Sequence, residues 1–230
     1  SGLLFPEFKD AATWLSESAS AISNYFPTAF LDDGCLVELD ASYHTGEVDQ
    51  FIRIYNAAQL NGKAQAFGSD YLDKLLPSCT FVADYCYPDA TWEWFNDTRA
   101  QSSSVIRRWM SSYATLYPGE NKFLWMGSAG TRGTQPAESL TEYRTSGYYM
   151  FRSGWKASDR MLIYKNNDNP QNMWHAHRDN GTIGLYVNGR HFLPAPGPYT
   201  YGDETGGSLD AIRAEHQAAR NHNTLTRELA

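Results

Sequence analysis

The chain has 230 residues, 42% of them apolar, and a formal net charge of -7. That length holds one large domain or two small ones with a real core, and the acidic balance excludes a general nucleic-acid or polyanion binder. No apolar run approaches the roughly 18 residues that a membrane span requires, which excludes membrane insertion through a helix.

The chain opens at Ser1-Gly2 with neither an initiator Met nor a signal-peptide pattern, which reads as a processed piece or fragment. Lys9 to Tyr25 carries Ala12, Leu15, Ala19 and Ile22 at helical spacing and is predicted to end before Pro27. The turn Asp32-Asp33-Gly34 leads into Cys35 to Leu39, and Tyr43 falls on the loop that follows. Glu47 to Leu60 is a second helix, with Phe51, Ile54, Tyr55 and Ala58 on one face and Asn61-Gly62 as its stop. Phe67 to Leu76 and Arg99 to Leu116 are two more. Between them, Cys79 to Asp97 is dense in aromatics and reads as an irregular packed loop.

Residues 118–147 are rich in Gly, Ser, Thr and Pro and read as a connection. The periodicity then changes to two. Tyr148 to Arg152, Arg160 to Lys165, Thr182 to Asn188 and Arg190 to Leu193 are predicted strands, with Asn188-Gly189 as a two-residue hairpin turn. Ser208 to Arg220 returns to helix or a long loop. About four strands are visible where an immunoglobulin-like sandwich has about seven, so the β part reads as cut short. The domain reading is helical over 1–117, a linker over 118–147, and β over 148–230.

The chemistry concentrates late in the chain, where five of the six histidines lie from His175 onward. Trp174-His175-Ala176-His177 precedes an Asp179-Asn180-Gly181 turn, and on a strand His175 and His177 project to one face. The 15 Tyr, 11 Phe and 7 Trp suit stacking on sugar rings, although core packing explains most single aromatics. Arg107, Arg108, Arg152, Arg178 and Arg190 suffice for a local basic cleft. The three cysteines form no metal-type pair; Cys79 and Cys86 either bridge a loop or stay as free buried thiols.

Several segments, in order, resemble the heparinase II/III superfamily of polysaccharide lyases, closest to the heparinase III type. They are Phe5-Pro6-Glu7-Phe8-Lys9-Asp10, Asp33-Gly34 through Val37-Glu38-Leu39 to Ser42-Tyr43-His44, and Phe151-Arg152-Ser153-Gly154-Trp155. Next come Trp174-His175 with Asp179-Asn180-Gly181-Thr182, Asn188-Gly189-Arg190 with Phe192, and His222-Asn223-Thr224-Leu225-Thr226. Residues 62–145 match only loosely. The resemblance implies an α+β multidomain fold: the C-terminal part of an incomplete (α/α) toroid followed by a partial antiparallel β-sandwich. It also implies cleavage of a uronate glycan, above all heparan sulfate, by a periplasmic or secreted bacterial enzyme. The partner is then an acidic polysaccharide.

Such cleavage is a β-elimination. The carboxylate beside C5 must be neutralised, a base takes the C5 proton, and an acid protonates the oxygen leaving C4. The resemblance implies Tyr43 as the catalytic tyrosine, acid and in one geometry also base, and His175 as base or polariser. His44, Arg152, Arg178 and Trp155 are the implied substrate contacts, and an adjacent helix-cap role suits His44 equally well. The asparagine that neutralises the carboxylate in this family would precede Ser1. No cofactor is required for the chemistry. Some relatives hold a structural zinc through the second His of His-x-His, an Asp eighteen residues on, and a later His. Here His177 and His222 match, but the Asp position falls at Ala195, which leaves a weak site unless Asp203 substitutes. The alternatives are a non-catalytic glycan-binding or inactive fragment, a lyase of alginate or another uronate polymer, and a dihistidine metal hydrolase.

Overall fold

A computed structural model describes residues 2–167, 175–201 and 208–225. Among these residues, five α-helices precede five strands, and a sixth helix follows them. The first, α1 (Ala11–Ala29), runs through Pro27 instead of ending before it. A proline in the last turn forfeits only one helical bond, and the Thr28 hydroxyl donates to the Tyr25 carbonyl at 2.7 Å. The turn after α1 closes as an isolated bridge between Phe30 and Leu36. Gly34 sits there at φ 86°, where an added Cβ would meet the Pro77 backbone at 2.6 Å. Only glycine allows that approach.

Helix α2 (Ala41–Leu60) starts a turn and a half earlier than its apolar spacing suggests. Asp40 caps it, its Oδ1 accepting from the backbone N–H of Ser42 and of Tyr43 at 2.8 and 3.0 Å. Tyr43 therefore belongs to the first helical turn and not to a loop. The buried stripe Ala41, His44, Thr45, Val48, Phe51, Ile52 keeps helical spacing, and Phe51 packs against Tyr25, Phe26, Phe30 and Tyr71. A 3-10 turn (Ala64–Phe67) leads to α3 (Tyr71–Tyr85), which passes through Pro77 and absorbs residues read as irregular. Its stretch from Ser78 to Tyr85 is buried except for Thr80, so packing overrides the proline. Cys35, Cys79 and Cys86 are buried free thiols, and Cys79 and Cys86 form no bridge.

Helices α4 (Ser103–Leu116) and α5 (Asn121–Gly127) pack together, Phe123 meeting Tyr113 and Tyr117. The stretch 118–147 is thus no bare connection: it holds α5 and strand β1 (Leu140–Tyr143). Its Gly, Ser, Thr and Pro content hid a two-turn helix that docking on α4 stabilises. Strands β2 (Tyr148–Arg152), β3 (Met161–Lys165), β4 (Thr182–Val187) and β5 (Arg190–Leu193) follow. All five pair antiparallel in the order β1-β2-β3-β4-β5. The turn between β4 and β5 is Asn188-Gly189, with φ of 52° and 75°.

Burial alternates along β2, β3 and β4, and the buried face carries Tyr148, Met150, Arg152, Met161, Ile163, Lys165, Thr182, Gly184 and Tyr186. This face meets α3 and the segment 86–99: Tyr148 meets Phe81 and Tyr85 edge-on and stacks with Phe95, and its hydroxyl donates to Leu39 O at 2.7 Å. Gly184 leaves room for Glu93, whose Oε2 would lie 2.3 Å from an added Cβ. Ser146 donates from its backbone and its hydroxyl to Asp33 Oδ2 at 2.8 and 3.0 Å, joining the sheet to the turn after α1. One aromatic core thus runs from the helices into the sheet. The last helix, α6 (Ser208–Gln217), lies beyond the sheet in sequence. No helix among the described residues is long and apolar enough to cross a membrane.

Candidate active site

Tyr43 and His175 meet. Their rings stack with centroids 3.8 Å apart and planes at 22°. The cap on α2 fixes where Tyr43 starts, and the bend 175–178 delivers the histidine from the sheet side. His175 does not lie on a strand, because the strand begins only at Thr182. Tyr43 remains 36% exposed, so its hydroxyl is reachable from solvent. That hydroxyl lies 2.6 Å from the hydroxyl of Tyr201. Burial, and next the bond to Tyr43, push the Tyr201 phenol upward, so it stays neutral. The guanidinium groups of Arg213 and Arg99 sit 4.6 and 5.1 Å from the Tyr201 ring centre.

Behind these rings lies Asp97. Its Oδ2 is 2.9 Å from His175 Nδ1 and 2.7 Å from Arg213 Nη2, and its Oδ1 is 3.0 Å from His177 Nε2. Burial alone would raise this carboxyl, but the bonds from His177, Arg213 and His175 outweigh it and hold the group at about 2. Glu38 Oε2 is 3.8 Å from His175 Nε2, beyond hydrogen-bond range. Asn96, at φ 56°, is clamped from several sides. Its amide donates to Leu39 O at 2.7 Å, its Oδ1 accepts from Lys165 Nζ at 2.7 Å and from His177 N at 3.2 Å, and its own N–H reaches Asp179 Oδ2 at 3.3 Å. Lys165 also bonds Asp179, a pair buried on the inner face of the sheet.

The other expected site residues fare differently. His44 is wholly buried: its Nδ1 accepts from Leu36 N–H at 3.0 Å and its Nε2 donates to Ser78 O at 2.9 Å. Burial lowers its pKa to about 4, so it is a neutral packing residue and not a substrate contact. Arg152 is corrected likewise. It is buried, donates to the Asp84 and Cys86 carbonyls, and lies 4.0 Å over the Trp155 ring. Trp155 is 5% exposed and donates to Glu138 O at 3.1 Å, leaving no face for a sugar in the cleft. Arg178 is exposed, beside His177. Trp174 and Asp203 lie outside the described residues. Asp97, Tyr201, Arg99, Arg213 and Glu38 were missed. Asp97 gave no distinguishing signal, because Glu93 is a second acid in the aromatic run Trp92 to Phe95 and its flank.

His177 and His222 are both buried, with ring centroids 5.3 Å apart. Among the described residues, no side-chain partner within hydrogen-bond range is found for His177 Nδ1 or for the ring nitrogens of His222. Burial lowers His222 to about 4, and its neutral ring is suited to ligation. Ala195, buried, stands where a third ligand was expected, and no group of three metal-ligating side chains forms among the described residues. Two imidazoles do not complete a zinc site.

Asp40 links the site to pH. Burial raises its carboxyl to about 6, against the bonds from Tyr43, Thr98 and Ser42. The folded state then holds this proton more tightly than the unfolded one, so its contribution is full below about pH 4 and is lost as pH rises through 6. Asp40→Asn, which keeps the capping oxygen, should gain about 2 kcal/mol on the parent protein between pH 4 and pH 8. Urea unfolding at the two pH values reads the difference.

Comparison with known proteins gives two family matches: Heparinase II/III N-terminus over residues 1–125, and Heparinase II/III-like, C-terminal over residues 135–228. The heparin-sulfate lyase of Bacteroides stercoris is 28% identical over 225 residues, covering 98% of this chain and 33% of its own length. That of Pedobacter heparinus is 27% identical over 226 residues, covering 98% and 34%. Among solved structures, heparinase III matches with a TM-score of 0.89 at 28% identity, covering 98% of this chain and 37% of that one. The heparan sulfate lyase HepC from Pedobacter heparinus matches at 0.88 and 27%, covering 98% and 35%. The chain spans about a third of the length of the curated relatives it matches.

Proposed function

Because the chain belongs to the heparinase II/III family, we propose that it carries the tyrosine–histidine centre of a lyase that cleaves uronate glycans, heparan sulfate first. The observation that carries this reading is the stacked pair Tyr43 and His175, with Tyr201 on the tyrosine and Asp97 on the histidine. In the reaction, the base takes the C5 proton, the C4=C5 double bond forms, and the C4–O bond breaks as its oxygen is protonated. Tyr43 protonates the leaving oxygen. It also takes the C5 proton where proton and leaving group share a face, and His175 takes it in the opposite geometry. Arg99 and the Tyr201 hydroxyl favour the negative charge that develops between these steps. Arg178 is the remaining candidate contact for a carboxylate or sulfate.

In this reading the helices are part of an incomplete (α/α) toroid, the sheet is part of a β-sandwich, and the protein works in the periplasm or outside the cell on an acidic polysaccharide. The test is ultraviolet absorbance of the unsaturated uronate on heparan sulfate, heparin, chondroitin sulfate, hyaluronan and alginate. Absorbance rising on heparan sulfate supports the reading, and alginate alone would move the substrate. Binding of a glycan without any new absorbance would favour a non-catalytic glycan-binding fragment.

His177 and His222 form an incomplete metal site in this proposal, and no step of the reaction passes through a metal. Purified chain should hold well under one zinc per molecule by mass spectrometry of the elements, and a chelator should leave its melting temperature unchanged. A full equivalent of zinc, lost with a fall in melting temperature, would show that a third ligand completes the site.

A further inference from the structure

Asp97 is 1% exposed and its two oxygens serve three donors from two parts of the chain. An ionised carboxylate only accepts hydrogen bonds, so each ring nitrogen facing it must carry a proton. The nitrogens differ: His175 presents Nδ1 at 2.9 Å and His177 presents Nε2 at 3.0 Å. Arg213 pairs with the same carboxylate at 2.7 Å. A neutral imidazole with a proton on one nitrogen has a lone pair on the other. His175 then offers Nε2 as acceptor on the side of Glu38, while His177 turns its Nδ1 lone pair into the interior beside His222, where it has no partner among the described residues. The left-handed Asn96, held by bonds to Leu39, Lys165 and Asp179, fixes the backbone from which Asp97 points.

We propose that Asp97 is a positioning residue that holds His175 and His177 in opposite tautomers, Nδ1–H in His175 and Nε2–H in His177, so that only His175 aims a basic nitrogen at the cleft. The role in cleavage rests on the lyase reading, whereas the tautomers do not. A base must meet the C5 proton with a lone pair, and the wrong tautomer presents a hydrogen instead. The stacking of Tyr43 on His175 keeps that ring from turning away, so the tautomer alone decides which function Nε2 has.

The experiment is long-range nitrogen–proton correlation on the chain with 15N-labelled histidine at pH 8, with signals assigned through His175→Gln and His177→Gln. The wild-type chain should show His175 as Nδ1–H and His177 as Nε2–H. In Asp97→Asn one carboxylate oxygen becomes an NH2 donor, so the ring facing it must invert, and the two histidines should then share one tautomer. Histidines alike in the wild-type chain, or still opposite in a folded Asp97→Asn, would overturn the proposal. Should the Asn variant fail to fold, the wild-type spectrum decides alone. In the glycan assay, Asp97→Ala should lose about 100-fold in kcat with KM within about twofold. Opposite tautomers in a wild-type chain that cleaves no glycan would count against the lyase reading alone.

Discussion

Tyr43→Phe should abolish the ultraviolet signal on every glycan, a loss of at least about 1,000-fold in kcat, with glycan binding nearly intact. Removal of a positioned acid or base costs about 100- to 10,000-fold, and here one hydroxyl would carry both roles in one geometry. The ring itself stays, so its stacking on His175 and the cap from Asp40 to its backbone N–H are retained. The binding measurement separates this result from unfolding. A variant that keeps a tenth of the parent kcat would remove Tyr43 from the chemistry. Tyr201→Phe is a useful companion, since its hydroxyl touches only the Tyr43 hydroxyl among the bonds described for it.

Lys165→Met should cost about 3–5 kcal/mol in urea unfolding. Lys165 and Asp179 have side chains 3% and 0% exposed, so removing the ammonium strands a buried carboxylate. Asn96 Oδ1 also loses one of its two donors and keeps the His177 N–H. Replacing both ions, Lys165→Met with Asp179→Leu, should recover part of the loss, because a buried pair is often no more stable than an apolar substitute. The recovery stays partial, since Asp179 Oδ2 also accepts from Asn96 N–H. Equal losses in the single and double variants would mean that the pair contributes through something other than its charges.

Much of the sheet was legible. Tyr148 to Arg152 and Arg190 to Leu193 have the strand limits that alternation suggests, and Asn188-Gly189 turns where such a pair should. Strand β1, Leu140–Tyr143, escaped notice because its burial does not follow a clean alternation. In the helical part, Pro27 was taken as a stop and the third helix was ended at Leu76, although tertiary packing carries both helices past their prolines. The beginning of α2 was written in Asp40, whose capping oxygen reaches two N–H groups, but apolar spacing alone pointed to Glu47. For the site, the resemblance brought Tyr43 and His175 forward, and the geometry places them in contact. It brought forward buried residues too: His44 and Arg152 lie next to exposed or functional neighbours in sequence and face the core in space. Asp97 could not be found by period or motif, because its meaning lies in partners 78, 80 and 116 residues away.

That arrangement shapes how the chain can vary over generations. With His175, His177 and Arg213 all hung on one carboxylate, their fitness effects are epistatic. While Asp97 is present, each of the three is constrained by the geometry of the other two. Once it is lost, that constraint lifts from His177 and Arg213, while His175 is still held by its contact with Tyr43.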